Sequence, residues 1–153
     1  MKIVKNGTGA WADSLQRGKY HQRRQELGGE KLKAGLWELA PGKKSFPLHA
    51  HQVTEEALYV LSGKAKVRTP EGTTELGPGD YVSFPAGGPA HQLVNDGKEP
   101  FRYLGLSAAF GHDLVEYPDS GKIAFVLGAY PTGKRFIFEK AKQADYFDGD
   151  PDA

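Results

Sequence analysis

The sequence predicts an all-β protein, a sandwich or barrel built from many short strands. Twenty glycines and ten prolines divide its 153 residues into short segments. Between these breaks lie runs rich in β-branched and aromatic side chains, which favour strands. Helical periodicity is weak throughout the chain. Many short strands at this spacing are typical of a sandwich or a barrel.

The clearest strand segments lie in the middle of the chain, and turn sequences such as Pro41-Gly42 and Asn95-Asp96-Gly97 separate them. The predicted strands are Leu32–Leu39, Ala57–Leu61, Ala65–Thr69, Tyr81–Phe84, His91–Val94 and Phe101–Ser107.

Three regions of one domain, residues 1–153, follow from this pattern, since no repeat and no linker marks a second domain. Residues 1–31 form a basic lead-in, expected to be irregular or to add an edge strand, with a weak helical turn within residues 12–27. Residues 32–110 form the β core. Residues 111–153 form a C-terminal extension, with a turn at residues 117–121 and two apolar segments, Ile123–Leu127 and Arg135–Glu139.

Charge and cysteine content narrow the classes of partner. The net charge of +1 gives no argument for nucleic acid or membrane partners. Basic residues dominate the first 44 positions and aspartates the last eleven, which indicates solvated termini or, as the alternative, contacts between protomers. The absence of cysteine excludes disulfides and thiol nucleophiles. No signal-peptide pattern or membrane-spanning run is present, so a cytoplasmic protein is expected.

One segment is dense in side chains that bind metals. His49 and His51 are two residues apart, so on a strand both imidazoles face the same side. Glu56 follows at a distance that lets the next strand place a carboxylate beside them. His91 follows a break at Pro85 and can face the same interior from a further strand. These four side chains are predicted to bind one metal ion.

Two adjacent glutamates compete for the carboxylate position. Neighbours on a strand point to opposite faces, so only one of Glu55 and Glu56 can face the interior. Glu56 shares its face with the apolar Leu58 and Val60. Glu56 is therefore the predicted ligand, and Glu55 is expected to point outward.

These segments resemble the two motifs of the cupin superfamily. The first is written G-x5-H-x-H-x3,4-E-x6-G and the second G-x5-P-x-G-x2-H-x3-N. Each differs here by one extra residue in a loop, before the first histidine and before the last one. The matching positions are Gly42, His49, His51, Glu56 and Gly63 in the first motif, and Gly79, Pro85, Gly87, His91 and Asn95 in the second.

The resemblance covers about residues 35–107 and implies a jelly-roll barrel (a double-stranded β-helix) of six to eight strands with the metal inside. It also implies a homodimer. The Leu27-Gly28-Gly29 segment and the Tyr-Pro-Asp of the extension resemble, more narrowly, a group of small single-domain bacterial cupins.

Three imidazoles and one carboxylate favour a divalent transition metal, Fe, Mn, Ni, Zn, Co or Cu, over Ca²⁺ or Mg²⁺. Cupins with such ligands include dioxygenases, isomerases of sugars or sugar phosphates, decarboxylases and lyases. We therefore expect a metal-dependent enzyme on a small molecule, of the dioxygenase or the sugar-isomerase type. The alternatives are a non-catalytic cupin that binds or senses a small ligand, and a scaffold with vestigial ligands.

Polar and aromatic side chains on inward faces of the core strands are suited to contact a substrate. The candidates for substrate binding are Tyr59, Tyr81, Arg102 and Tyr103. The alternative is that each has only a structural role, because aromatic side chains mostly fill cores. Arg102, if it faces inward, is suited to clamp a carboxylate or phosphate. The remaining histidines, His21 and His112, are expected at the surface.

Overall fold

The computed structural model describes residues 3–5, 9–108, 110–128 and 132–152, and almost all regular structure in them is β. Two short 3-10 helices lie at Pro118–Ser120 and Lys140–Lys142. The strands are β1 (Ala12–Arg17), β2 (Tyr20–Gly28), β3 (Leu32–Leu39), β4 (Lys43–Lys44), β5 (Ala50–His51), β6 (Glu56–Ser62), β7 (Ala65–Thr69), β8 (Gly72–Leu76), β9 (Tyr81–Phe84), β10 (Gln92–Asn95), β11 (Phe101–Ala108), β12 (His112–Tyr117), β13 (Lys122–Leu127) and β14 (Lys134–Glu139).

The strands form two sheets. The larger has the order β8-β7-β10-β4-β2-β3-β11-β6-β9, with β1 added on β2, and the smaller has the order β14-β13-β12-β5. Neighbouring strands are antiparallel except for the single parallel pairing between β2 and β4. The all-β prediction is therefore confirmed, and the central predicted strands match β3, β6, β7, β9, β10 and β11 within one residue at each end.

The helical turn expected within residues 12–27 is wrong. This segment forms the hairpin β1–β2, in which Arg17 pairs with Tyr20 across a two-residue turn. Gly18 in that turn has a φ of 56°, a left-handed conformation that suits hairpin turns of this length. Pairing with β3 also places β2 inside the larger sheet, so the lead-in supplies a central strand as well as an edge strand.

The main core lies on the inner face of the larger sheet. Leu39 and Phe101 are fully buried and face each other across β3 and β11. Leu58 and Val60 of β6 are buried beside them, whereas the intervening Tyr59 is exposed. This alternation is that of a sheet with one face toward the interior. Among the described residues, no helix is long and apolar enough to cross a membrane.

The extension packs as strands on the smaller sheet. β12, β13 and β14 form an antiparallel meander, and β12 pairs with β5 through Val115 and His51. The turn predicted at residues 117–121 is the first 3-10 helix, which ends at Gly121 in the left-handed conformation. The extension therefore pairs with the strand next to His49 that ends at His51.

Candidate metal centre and cavity

Three separate chain segments bring the four predicted ligand residues together. His49 and His91 form an isolated antiparallel bridge, in which each backbone N–H donates to the other's carbonyl, at 3.2 and 2.8 Å. His51 ends β5, and Glu56 begins β6. The same-face prediction for His49 and His51 agrees with their ring centroids, which lie 5.0 Å apart.

Glu56 lies at the centre of this cluster. Its Oε2 is 3.3 Å from Nε2 of His91, 3.6 Å from Nε2 of His51 and 4.0 Å from Nε2 of His49. Candidate ligand atoms of His49, His51 and Glu56 all lie within 4.8 Å of one another. The His91 ring is 4.6 Å from that of His49 and 6.5 Å from that of His51, so it approaches the cluster from the His49 side.

Hydrogen bonds outside the cluster orient two of the imidazoles. Nδ1 of His49 donates to the carbonyl of Pro47 at 2.8 Å, and Nδ1 of His51 donates to Oδ2 of Asp113 at 2.6 Å. With the proton on Nδ1, each Nε2 presents its lone pair toward Glu56. The ring of His91 stacks on Phe84 at 3.8 Å. Three imidazole nitrogens aimed at one carboxylate oxygen are a donor set that fits a divalent transition metal.

The charges of His49 and Glu56 also suit a metal. Burial lowers the pKa of His49 to about 4, so its ring is neutral near pH 7. Burial alone would raise the pKa of Glu56, but the hydrogen bond from His91 and the neighbouring imidazoles outweigh it and lower that pKa to about 2. Metal binding requires neutral imidazoles and ionised carboxylates. Both residues are thus in the protonation state of a ligand.

Asp113 was not among the residues predicted from sequence. It is buried on β12, where its carboxylate accepts hydrogen bonds from His51 and from the backbone N–H of Val53 at 3.0 Å. Burial opposes its charge, but the hydrogen bonds from His51 and Thr54 lower its pKa to about 2. In return, despite the opposing effect of burial, this bond helps to raise the pKa of His51. The sequence does contain a hint of this role. Asp113 lies two residues before the apolar Val115, so on a strand both side chains point to the same, buried face.

The cluster faces a cavity of about 650 Å³. Among the described residues that line it, the acids are Glu56 and Asp113, and both contact histidines of the cluster. The basic lining residues come from both sheets and from the first hairpin: Arg17, Arg24, Lys33, Lys122 and Arg135. The acids are committed to the histidines, so the remaining lining carries excess positive charge that suits an anionic ligand.

The predicted substrate-binding residues divide between the two faces of the sheet. Tyr59 and Tyr81 pair with each other across β6 and β9 and are exposed, at 44% and 61%. Arg102 binds Glu38 on the outer face, with Nε 2.7 Å from Oε2. None of these three lines the cavity, which corrects their interpretation as pocket residues. The physical reason is parity, since Leu58, Val60 and Tyr103 occupy the inward positions.

Tyr103, the fourth candidate, does line the cavity. Its ring stacks on Trp37 with centroids 6.2 Å apart and an interplanar angle of 5°, and its hydroxyl donates to Gln22 at 3.4 Å. Trp37 and Arg24 line the same wall and were not predicted. Arg24 was hard to predict because it lies in the lead-in, for which the sequence indicated at most an edge strand. Trp37 lies in the predicted strand Leu32–Leu39, but the sequence does not show that this strand pairs with β2.

Glu55, His112 and His21 lie outside the cluster. Glu55 is exposed beside the inward Glu56. His112 is exposed at the edge of the cavity. His21 is half-buried and pairs with Asp13 at 3.2 Å, away from the cavity lining.

The sequence matches one protein-family model and one known protein. The family model described as "Cupin domain" matches residues 35–107. A glucose-6-phosphate isomerase from Thermococcus kodakarensis is 36% identical over 85 residues, which cover 52% of this chain and 44% of that protein. The match thus spans less than half the length of that relative.

Two solved structures share nearly the whole fold. A putative sugar phosphate isomerase from Acidithiobacillus ferrooxidans superposes with a TM-score of 0.78 at 27% identity, covering 92% of this chain and 90% of the other. A cupin-superfamily sugar phosphate isomerase from Silicibacter pomeroyi superposes with a TM-score of 0.79 at 22% identity, covering 96% and 98%.

The curled double sheet and these matches define a jelly-roll β-barrel of the cupin type. Residues 35–107 thus match the cupin domain, and the fold of the chain is that of cupin-superfamily structures.

Proposed function

We propose that this protein is a metal-dependent isomerase of a sugar phosphate or a related anionic sugar. The observation that carries the proposal is the cluster of three imidazoles around Glu56, which faces a cavity with five basic lining residues. The names of the relatives from Thermococcus kodakarensis and Acidithiobacillus ferrooxidans support the sugar phosphate as substrate.

His49, His51, Glu56 and His91 would hold the metal. A divalent transition metal bound there supplies a Lewis acid, which polarises a carbonyl or hydroxyl oxygen. The basic residues of the cavity hold the anionic end of the substrate. Tyr117, half-buried beside His49, has its pKa raised by burial and stays protonated at neutral pH. Its hydroxyl can therefore donate a hydrogen bond to the bound sugar.

The second candidate is a cupin that binds or senses an anionic ligand without catalysis. The acids among the described lining residues are Glu56 and Asp113, and both are engaged by histidines. The described part of the cavity lining therefore offers no separate carboxylate to move a proton, which favours binding without turnover.

The test begins with the metal. Protein purified without chelators is analysed for bound elements, before and after addition of Fe, Mn, Ni or Zn. Glu56→Gln should lower metal affinity at least about tenfold, because it removes a charged ligand. Glu55→Gln is the matched control, since the neighbouring side chain is exposed, and it should bind metal like the wild type. A wild-type protein that takes up none of these metals would overturn the proposal.

Activity then separates the candidate functions. Metal-loaded protein is incubated with fructose 6-phosphate and other ketose and aldose phosphates, and their interconversion is followed by proton NMR. Isomerisation by the wild type and by Glu55→Gln, with none by Glu56→Gln, supports the isomerase. Binding without turnover supports the sensing cupin, and oxygen consumption with catechols or diketones would indicate a dioxygenase instead.

A further inference from the structure

Three rows of side chains cross the inner face of the larger sheet between β2 and β6. In the first row, Trp37 lies opposite both Arg24 and Tyr103. Alternate residues of a strand share a face, so the rows two and four residues further along also face the cavity. The second row is Glu26, Gly35, Gly105 and Leu58. The third is Lys33, Ser107 and Glu56.

The glycines of the second row leave space that their neighbours enter. A Cβ on Gly105 would lie 2.6 Å from Nε1 of Trp37, and one on Gly35 would lie 2.7 Å from Nε of Arg24. The indole and the guanidinium therefore lie over the glycine row. This places a cation and an aromatic ring over the middle of the sheet, in the cavity that Glu56 also lines.

Arg24 is held in a defined orientation. Its guanidinium lies over Trp37, 5.0 Å from the ring centroid, and Nη2 is 2.6 Å from Oε2 of Glu26. The Arg24 side chain is 10% exposed and that of Glu26 is 45% exposed. The guanidinium is thus fixed between Trp37 and Glu26, and the close carboxylate partly neutralises its charge. A planar guanidinium on an aromatic face suits a phosphate or a carboxylate.

We propose that Arg24 is a specificity-determining residue that binds the terminal oxyanion of an open-chain sugar in the cavity that Arg24 and the cluster around Glu56 both line. Arg24 and Glu56 line one cavity of about 650 Å³, a volume within the range of small-molecule sites. This proposal rests on the proposed function, in which the metal cluster binds the other end of the sugar.

The test measures binding by isothermal titration calorimetry on metal-loaded protein. The probes are fructose 6-phosphate, glucuronate and uncharged fructose, so that phosphate and carboxylate are distinguished. Arg24→Gln should weaken binding of the preferred anion at least about tenfold, because it removes charge-assisted hydrogen bonds. Metal content and binding of fructose should not change. Arg24→Lys should show an intermediate loss, since lysine keeps the charge and loses the planar fork.

Arg23→Gln is the matched control. Arg23 precedes Arg24 on β2, points to the other face and contacts Trp11 and Glu38, so this variant removes the same charge outside the cavity. Thermal unfolding shows whether each variant is folded. If Arg24→Gln does not fold, the comparison is made with Arg24→Lys. Equal affinities of the Arg23 and Arg24 variants for the anion would overturn the proposal.

The two proposals fail in different ways. If the wild type isomerises a sugar phosphate and Arg24→Gln binds it unchanged, the role of Arg24 is wrong and the isomerase stands. If no sugar phosphate is turned over but anion binding depends on Arg24, the isomerase is wrong and the role of Arg24 in selecting an anion stands.

Discussion

Single residues outside the ligand set decide how the cluster is oriented. Asp113 fixes the tautomer of His51 by accepting its Nδ1 proton at 2.6 Å, and it also binds the backbone N–H of Val53. One carboxylate therefore orients the imidazole and the loop that follows it. Mutation of such partners of ligating histidines typically lowers metal affinity about 10- to 100-fold.

Asp113→Asn should weaken metal binding about 10- to 100-fold, because the amide has one accepting oxygen for two donors, Nδ1–H of His51 and the backbone N–H of Val53. The measurement is a competition titration against a chelating dye. Asp119→Asn is the control, since Asp119 is exposed and binds Arg68 away from the cluster, and its metal affinity should equal that of the wild type. Equal affinity of the two variants would contradict the role of Asp113.

At the scale of strands, the pairing of β3 with β11 creates the floor of the cavity. Gly35 lies opposite Gly105 in the middle of both strands, where glycine is otherwise unfavourable. Each glycine is in a conformation open to other residues, since neither has a positive φ. Their requirement is therefore space, and the space is taken by Trp37 and Arg24.

Gly105→Ala should lower the free energy of unfolding by about 1–3 kcal/mol, because the new Cβ would overlap the indole of Trp37 and force it to move. Urea denaturation followed by circular dichroism measures this. At Gly77 a Cβ would meet no heavy atom nearer than 4.0 Å, so Gly77→Ala should be neutral or slightly stabilising. A stable Gly105→Ala protein would show that the floor tolerates a side chain.

At the scale of the whole molecule, the cluster joins the two sheets. Glu56 belongs to the larger sheet, while His51 and Asp113 belong to the smaller one. The first hairpin pairs with the core strands, and the C-terminal strands pair with β5. We therefore propose that residues 1–153 fold as one domain. A metal that binds the cluster stabilises this arrangement, because it binds only where the sheets are assembled.

Removal of the metal should therefore lower the melting temperature. A metal present at 100 times its dissociation constant adds about 2.7 kcal/mol to the free energy of unfolding. Differential scanning calorimetry with EDTA, and then with the metal restored, measures the change. His49→Ala should lose the metal-dependent increment, and His112→Ala, altered at an exposed position, should keep it. An equal increment in both variants would place the metal elsewhere.

The sequence by itself determined the β-class, the central strands and the relative directions of side chains within each strand. Spacing of two put His49 and His51 on one face, and parity with Leu58 and Val60 selected Glu56 over Glu55 as the inward glutamate. These features could be predicted because side-chain direction along a strand is local, with a period of two residues.

Only the tertiary structure decided which residues meet across strands. Asp113 lies 62 residues from His51, and Arg24 reaches Trp37 only through the pairing of β2 with β3. Tyr59 was assigned to the pocket although parity with Leu58 and Val60 already turns it outward. For Tyr81 and Arg102, the register between strands and the closure of the barrel decide which face becomes the interior.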